Sequence, residues 1–369
     1  MATRAASKLT KAERKEWARA RFRGAESVIL PSFTPDFEEL DEAAIRHDVR
    51  MSIEHGFFSV FATSVSLRNE DERRRFIEAI VDEAGDKLLV SVGAGAGSSI
   101  EESVASLQRA ADLGCSHVMY SLPPAARFQS EDALLAYATE VIDSTDLGIV
   151  VYIRKAQRVP GSRAGHVPIE VISHLAERPN VVAAKLTQVL DPVSTFECCR
   201  ELGHKLLLGP VNLEMLPFIA AICPVQFTAM WQVETCQSPA KPFVVDYLNL
   251  LAENRIEDAM RLFWQFEPLV RLFWEEQAPI LARGGHPWVL LKYHQWCVGG
   301  NGGLFRPPEK ASEQFAPITA TERGKVRDTY RAVGIDPREP DEEFLVGRLA
   351  YGRGVRPTSL APNPMALWD

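Results

Sequence analysis

The chain holds no run of apolar residues long enough to cross a bilayer, so no helical membrane span is expected. Its start, Met1 to Arg23, is basic but lacks an apolar segment, which excludes a secretion signal; Glu13 and Glu16 weigh against a mitochondrial transit peptide. Positive charge is in the minority. With 41 Lys and Arg against 49 Asp and Glu, the net charge of −8 argues against a nucleic-acid partner. Cysteine is sparse, and the six present (Cys115, Cys198, Cys199, Cys223, Cys236 and Cys297) show no C-x-x-C spacing. They read as reduced thiols of a cytoplasmic protein. Low-complexity runs are missing too, and the composition is that of an ordinary globular protein.

What is present is an alternation. Thr10 and Glu13 have capping-box spacing, so an exposed helix over about 10 to 21 is predicted ahead of the main fold. Short β-rich apolar runs then recur at Ser27–Phe33, Phe57–Thr63, Lys87–Ala94, His117–Leu122, Leu147–Ile153, Val181–Thr187, Lys205–Gly209 and Val225–Met230. Amphipathic helical patterns separate them, at Glu42–His55, Glu70–Ala84, Ile100–Leu113, Glu131–Ile142, Pro168–Glu177, Pro192–Leu202 and Leu213–Ile222. Strands alternating with helices run parallel, and eight such units close an α/β barrel, the (β/α)8 TIM barrel. The competing doubly wound sheet usually opens with a Gly-rich turn; here the first strand ends in Pro31-Ser32-Phe33-Thr34-Pro35, which cannot cradle a pyrophosphate in that way. Length alone would suggest two domains, but 369 residues fit one barrel with additions. The predicted organisation is an N-terminal helical extension over 1–26, the barrel over 27–236, a C-terminal helical region over 237–335 and a tail over 336–369. Helices are predicted at Phe243–Ala252, Ile256–Glu275, Gln277–Val298 and about Thr321–Val333, with one short piece near Asp341–Ala350. The tail is expected either to wrap a neighbouring subunit or to be partly mobile.

In a barrel of this kind the chemistry sits at the C-terminal strand ends. No His, Asp or Glu stands there, which weighs against a metal-dependent hydrolase. No Gly-rich loop follows strand seven or eight, so a phosphorylated substrate is not favoured. The glycines of Gly93-Ala94-Gly95-Ala96-Gly97 could bind an anion through backbone N–H groups, but a tight turn is the preferred reading.

Two residues remain. Lys185 ends the buried-looking run Val181-Val182-Ala183-Ala184, and Tyr152 ends Leu147-Gly148-Ile149-Val150-Val151. A lysine amine in an apolar strand tends to lose its proton and then becomes a nucleophile that forms a Schiff base with a carbonyl. A neighbouring acid–base group must shuttle protons through the carbinolamine. Strands five and six are adjacent, which places the two side chains across a spacing of about 5 Å. Each has a plainer reading: a lysine that snorkels into water and a tyrosine that lines the barrel. Thr63 and Ser64, with their backbone N–H groups, and an arginine among Arg154, Arg158 and Arg163 are candidates to hold a substrate carboxylate.

These residues carry a family resemblance. Phe33-Thr34-Pro35 with Asp41, Val150-Val151-Tyr152, Pro179-Asn180-Val181-Val182-Ala183-Ala184-Lys185 and the late Gly303-Leu304-Phe305-Arg306-Pro307-Pro308 resemble the dihydrodipicolinate synthase / N-acetylneuraminate lyase family of class I aldolases, over about Ser27 to Gly334. The resemblance implies an eightfold barrel with a C-terminal helical bundle, Lys185 as the Schiff-base residue for pyruvate or another 2-oxo acid, Tyr152 as the acid–base residue, and a homo-oligomer, dimer or tetramer. No cofactor or metal is implied.

The departures bear on substrate. The family's Gly-Thr-Thr-Gly-Glu stands here as Phe61-Ala62-Thr63-Ser64-Val65, its paired tyrosines as Ala125-Ala126, and its asparagine after the strand-five tyrosine as Ile153. The loop with the carboxylate-binding arginine is about six residues longer, and Arg163 fits that place best. The expectation is therefore a Schiff-base lyase, an aldolase, synthase or dehydratase, acting on a 2-oxo acid or its aldol adduct but not dihydrodipicolinate synthase itself. The alternatives are a non-catalytic relative that binds a 2-oxo acid or serves as a scaffold, and an unrelated barrel enzyme. Loss of two large rings predicts a wider, more apolar mouth, lined by Phe61, Val65 and Trp231, that suits a bulkier aldehyde partner.

Overall fold

The computed structural model describes residues 9–123, 127–153, 166–187, 191–230, 232–283, 285–306 and 313–360. Eight short parallel strands are each followed by helix: β1 (Gly24–Ile29), β2 (Ser59–Ala62), β3 (Leu89–Gly93), β4 (His117–Ser121), β5 (Gly148–Ile153), β6 (Val181–Leu186), β7 (Leu207–Pro210) and β8 (Phe227–Ala229). Their order is β7-β6-β5-β4-β3-β2-β1-β8, and all pairings are parallel. The ring is not laddered between β7 and β8. There the Thr228 hydroxyl donates to the Pro210 carbonyl at 2.7 Å, which ties the two strands side chain to backbone. The arrangement is the (β/α)8 barrel read from the alternation.

The helices from the start of the described chain to just past β8 are α1 (Arg14–Arg21), α2 (Glu42–Glu54), α3 (Glu70–Ala84), α4 (Ile100–Asp112), α5 (Glu131–Asp143), α6 (Ile169–Ala176), α7 (Pro192–Leu202), α8 (Leu216–Ala220) and α9 (Gln232–Thr235). Several begin on a side-chain cap, as Asn69, Ser99, Ser130 and Asp191 each accept a backbone N–H of the first turn. Such caps fix where each crossover starts, and with it the height of the following strand.

α1 differs from the expected exposed helix. Glu13 takes the Thr10 N–H at 2.8 Å, as the capping-box spacing predicts, but Arg14 and Ala18 are buried. The Phe22 and His117 rings lie 4.7 Å apart, and Trp17 stands over Gly148. His117 and Gly148 open β4 and β5, so α1 plugs the N-terminal floor of the barrel. For the same reason β1 begins at Gly24, three residues before the apolar run that marks it in sequence.

Beyond β8 come α10 (Phe243–Ala252), α11 (Ile256–Ala282), α12 (Trp288–Cys297), α13 (Ala320–Ala332), α14 (Asp341–Val346) and α15 (Arg348–Gly352). α11 corrects the predicted break at Glu276. It runs through Pro268 and Pro279; the carbonyls that lose their donor belong to Trp264 and Glu275, both exposed, where water can take the bond. The short piece near Asp341–Ala350 is two helices, because Gly347 turns the chain at φ 87°. The described part of the tail packs on its own chain: Asp341 meets Arg323 at 2.8 Å, Glu343 takes the Trp296 indole N–H at 3.1 Å, and Arg353 reaches Asp41 at 3.4 Å.

Candidate active site

Side chains alternate along a strand, so every second residue faces the lumen. Ladder register then lines up the mouth. Ser121, Tyr152, Lys185 and Gly209 are successive partners across β4, β5, β6 and β7. Lys185 and Tyr152 are thus direct cross-strand neighbours, both half-buried. The amine stands over the face of the Tyr152 ring, 4.6 Å from its centroid. A bulge between Ile149 and Val150 in the β5–β6 pairing sets this register: it brings Ala183, not Val182, opposite Val150, and Lys185 opposite Tyr152. Gly209 completes the row by absence, since a Cβ there would lie 2.7 Å from the Phe227 ring.

Thr63 follows β2 and is buried, and by alternation with Ser59 and Phe61 it faces the same mouth. Its backbone N–H is not available to a ligand, because it bonds the Ile29 carbonyl at 3.3 Å. Ser64 is exposed and lines an outer depression with Glu70, Arg73 and Arg109, so the structure does not gather it with the Lys185–Tyr152 pair. Arg163, the rest of its basic loop, Ala125, Ala126 and Trp231 lie outside the described residues.

The Gly-rich turn after β3 spends its N–H groups inside the protein. Gly95 donates to Ser106 at 2.8 Å and Gly97 to Ser103 at 2.9 Å. Gly95 has φ 83°, and a Cβ there would strike the Tyr120 ring, so the tight turn prevails over the anion site. Beside it a cavity of about 480 Å³ opens at the exits of β3 and β4, lined among others by Gly93, Ala94, Met119, Ser121, Arg73 and Arg109. Ser121, the register partner of Tyr152, stands on its rim, and Arg73, Gly93, Ala94, Ser106 and Arg109 are shared with the depression beside Ser64. Phe61, where the family pattern has glycine, puts its ring against Gly93.

The Arg-Pro signature also has a place. Arg306 is buried and stacks on the Phe33 ring at 4.3 Å. It donates to the Phe37 and Glu38 carbonyls at 2.6 and 2.5 Å and pairs with Glu72 at 2.7 Å. It thereby staples the loop leaving β1 to the first turn of α3. Lys292, on α12, is buried; its amine donates to the Pro31 carbonyl at 2.7 Å, and burial lowers it to about 8.

Sequence reading missed Glu26 and His117, which meet inside the lumen at 3.2 Å. An acid just before an apolar strand and a histidine at the start of another were the only signals. Among the described residues no cluster of three His, Cys, Asp or Glu side chains is arranged to hold a metal ion, and no helix is long and apolar enough to cross a membrane.

Comparison with known proteins places this architecture. The model of the dihydrodipicolinate synthetase family matches residues 21–208. The 4-hydroxy-tetrahydrodipicolinate synthase of Methanothrix thermoacetophila is 28% identical over 318 residues, spanning 83% of this chain and 95% of that one. The enzyme of the same name from Salinibacter ruber is 32% identical over 174 residues, 44% of this chain and 53% of that one. Among solved structures, PhdJ bound to a substrate intermediate aligns at TM-score 0.68 and 19% identity, covering 88% of this chain and 98% of that one. A monomeric dihydrodipicolinate synthase variant aligns at TM-score 0.65 and 19% identity, covering 86% and 99%. At such identities the structural likeness speaks for the fold alone.

Proposed function

The chain belongs to the dihydrodipicolinate synthetase family, class I aldolase-type lyases, and on that premise we propose that it is a Schiff-base lyase acting on a 2-oxo acid such as pyruvate, or on its aldol adduct. The observation that carries this is the Lys185 amine set across the ladder from Tyr152 at the barrel mouth. The amine attacks the ketone carbon, the carbinolamine takes up a proton and loses water, and an iminium remains; Tyr152 is assigned chiefly to the proton transfers that follow. In cleavage, a base takes the proton of the C4 hydroxyl, the C3–C4 bond pair flows into the iminium, and an aldehyde leaves. The enamine is then protonated and water releases the 2-oxo acid. Thr63 is assigned to the substrate carboxylate, with Arg163 as a further candidate.

The substrate differs from that of dihydrodipicolinate synthase in this reading. The ring of Phe61 in the lumen and the cavity beside Ser121 favour an adduct with a larger arm directed over β3 and β4. The enzyme is placed in the cytoplasm, in keeping with six buried free thiols, and acts as a homo-oligomer.

Borohydride reduction with a panel of 2-oxo acids, followed by peptide mass mapping, tests the proposal. The expected adduct is on Lys185 and vanishes in Lys185→Ala. An adduct confined to other lysines, or none with any 2-oxo acid, overturns it.

A further inference from the structure

The side chains of β6 break strict alternation. Val181 and Ala184 pack with residues of the surrounding helices. Val182 and Ala183 are successive, yet both belong to the apolar cluster inside the lumen. This is the bulge in the β5–β6 ladder, where Val182 falls between the pairs Ile149–Val181 and Val150–Ala183. The outward phase of Val181 is fixed by its neighbour Asn180, which is fully buried. The Asn180 amide donates to the Ile142 and Thr145 carbonyls at 3.0 Å each, and the Asn180 carbonyl accepts the Ile149 N–H at 2.7 Å. From that phase, alternation without the bulge would carry Ala184 into the lumen and turn Lys185 outward among the helices.

The N-terminal helix packs where the bulge sits. A Cβ built on Gly148 would lie 3.2 Å from the Trp17 ring, 3.3 Å from His117 Cβ and 3.5 Å from Val182 Cγ2. Trp17 and the bulged valine thus flank one side-chain-free point on β5, just before the break in register. Ala18 and Phe22 join Val182 in the same cluster, and α1 packs against both β6 and β5. α1 is itself anchored at both ends. Ahead of it the Lys11 amine donates to the carbonyl of Asp143, the last residue of α5. Within it the Lys15 amine donates at 2.5 Å to the carbonyl of Ala176, the last residue of α6. Ammonium groups suit such helix C-termini. At the far end Gln226 donates to the Arg19 and Phe22 carbonyls at 3.0 and 2.7 Å.

We propose that Trp17 is a positioning residue: by covering Val182 it holds the bulge, and so the register in which Lys185 enters the lumen opposite Tyr152. The inference rests on the Schiff-base reading of that pair. It gives the segment ahead of the barrel a part in catalysis from the opposite end of the lumen. Tyr152 lies four residues beyond Gly148 on β5, about 13 Å along the strand. The effect is discrete rather than graded, because a one-residue slip exchanges the two faces of a strand. Loss of the Trp17 ring leaves Val182 room to withdraw from the lumen face, and the population with Lys185 opposite Tyr152 falls.

The test uses the full-length protein. Register is read without substrate from paired cysteines, Tyr152→Cys with Lys185→Cys, whose disulfide yield on mild oxidation is measured by peptide mass. Residues facing each other across a ladder are close enough for that bond. The yield is expected to fall several-fold when Trp17→Ala is added, and to recover in Trp17→Phe, which keeps a ring over Gly148. With Lys185 and Tyr152 intact, Trp17→Ala lowers the rate of borohydride-trapped adduct formation with pyruvate roughly tenfold or more, and Trp17→Phe restores it. A merely structural role would lower the unfolding temperature and leave both readouts unmoved in the folded protein. Should Trp17→Ala fail to fold, Lys11→Ala with Lys15→Ala loosens α1 without opening a hole and is read in the same way. An equal disulfide yield with and without the Trp17 ring overturns the inference, as does an equal loss in Trp17→Phe. Because the disulfide needs no substrate, it separates the two ideas: a yield that depends on Trp17 without trapping of any 2-oxo acid sinks the Schiff-base reading and leaves the register link standing.

Discussion

The Lys185 amine faces the ring of Tyr152, 4.6 Å from its centroid, although the two residues are register partners on adjacent strands. The ring face and the hydroxyl can therefore be separated by mutation. Tyr152→Phe keeps the aromatic face that orients the amine and removes the proton donor. Borohydride trapping on Lys185 is expected to persist in this variant, while turnover on the identified substrate falls roughly a hundredfold or more. That outcome would place the action of Tyr152 after imine formation more than before it. Unchanged turnover in Tyr152→Phe refutes the acid–base role.

The strands and the placement of Lys185 beside Tyr152 were legible because both are local signals. Val181–Leu186 is apolar apart from one lysine, and its neighbour β5 carries a lone tyrosine, Tyr152, next to its end. Glu26 and His117 were not, because neither is unusual locally. Glu26 reads as a polar residue ahead of an apolar run, and only closure of the barrel brings Ser59, Ser91 and His117 around it. The exposed reading of α1 failed for a related reason: Ala18 and Phe22 bury against residues supplied by five strands, Leu89, Met119, Val150, Ala183 and Phe227. The break assigned at Glu276 followed polarity along the chain, while the fold buries Phe273 and Gln277 on one continuous helix.

A second buried acid gives a pH prediction. Glu234, on α9, accepts from Ser52 at 3.4 Å and from the Gln295 amide. Burial, with the Asp48 charge adding to it, pushes its carboxyl up to about 8 against the hydrogen bonds of Gln295, Ser27 and Ser52. The folded state therefore holds a proton that the unfolded chain releases near 4.5, and the stability this gives is present below 4.5 and lost as pH rises toward 8. Nearby His55 is lowered to about 3 by burial, so its own contribution grows between 3 and 6.5 and opposes the first. In the window from 6.5 to 8 Lys292, lowered to about 8, begins to work the other way, so Glu234 is read from the difference between wild type and Glu234→Gln. Across it wild type is expected to lose roughly 1–2 kcal/mol that Glu234→Gln, neutral at every pH, does not. Urea unfolding midpoints at pH 6.5, 7.2 and 8 check this; parallel trends in the two proteins rule it out.

The last prediction concerns assembly. α11 turns Trp264 and Met260 outward at i and i+4, so they share one face. α11 packs against α8, which carries Phe218. These three are 65%, 41% and 64% exposed, while the neighbouring Phe263 and Phe266 are buried. Large apolar side chains grouped on helices that pack together are costly in water unless another surface covers them. A second copy of this chain is the occupant that the proposed homo-oligomer supplies. Full burial of one such side chain contributes about 1.5–3 kcal/mol, enough for a single charge in the middle of the patch to weaken association by tenfold or more. Light scattering on a sizing column is expected to show wild type as a dimer or tetramer, and Trp264→Glu at lower mass at the same concentration with an unchanged circular-dichroism spectrum. A monomeric wild type would remove the assembly itself, whereas an oligomer whose mass ignores Trp264→Glu would place the interface on another face of the barrel.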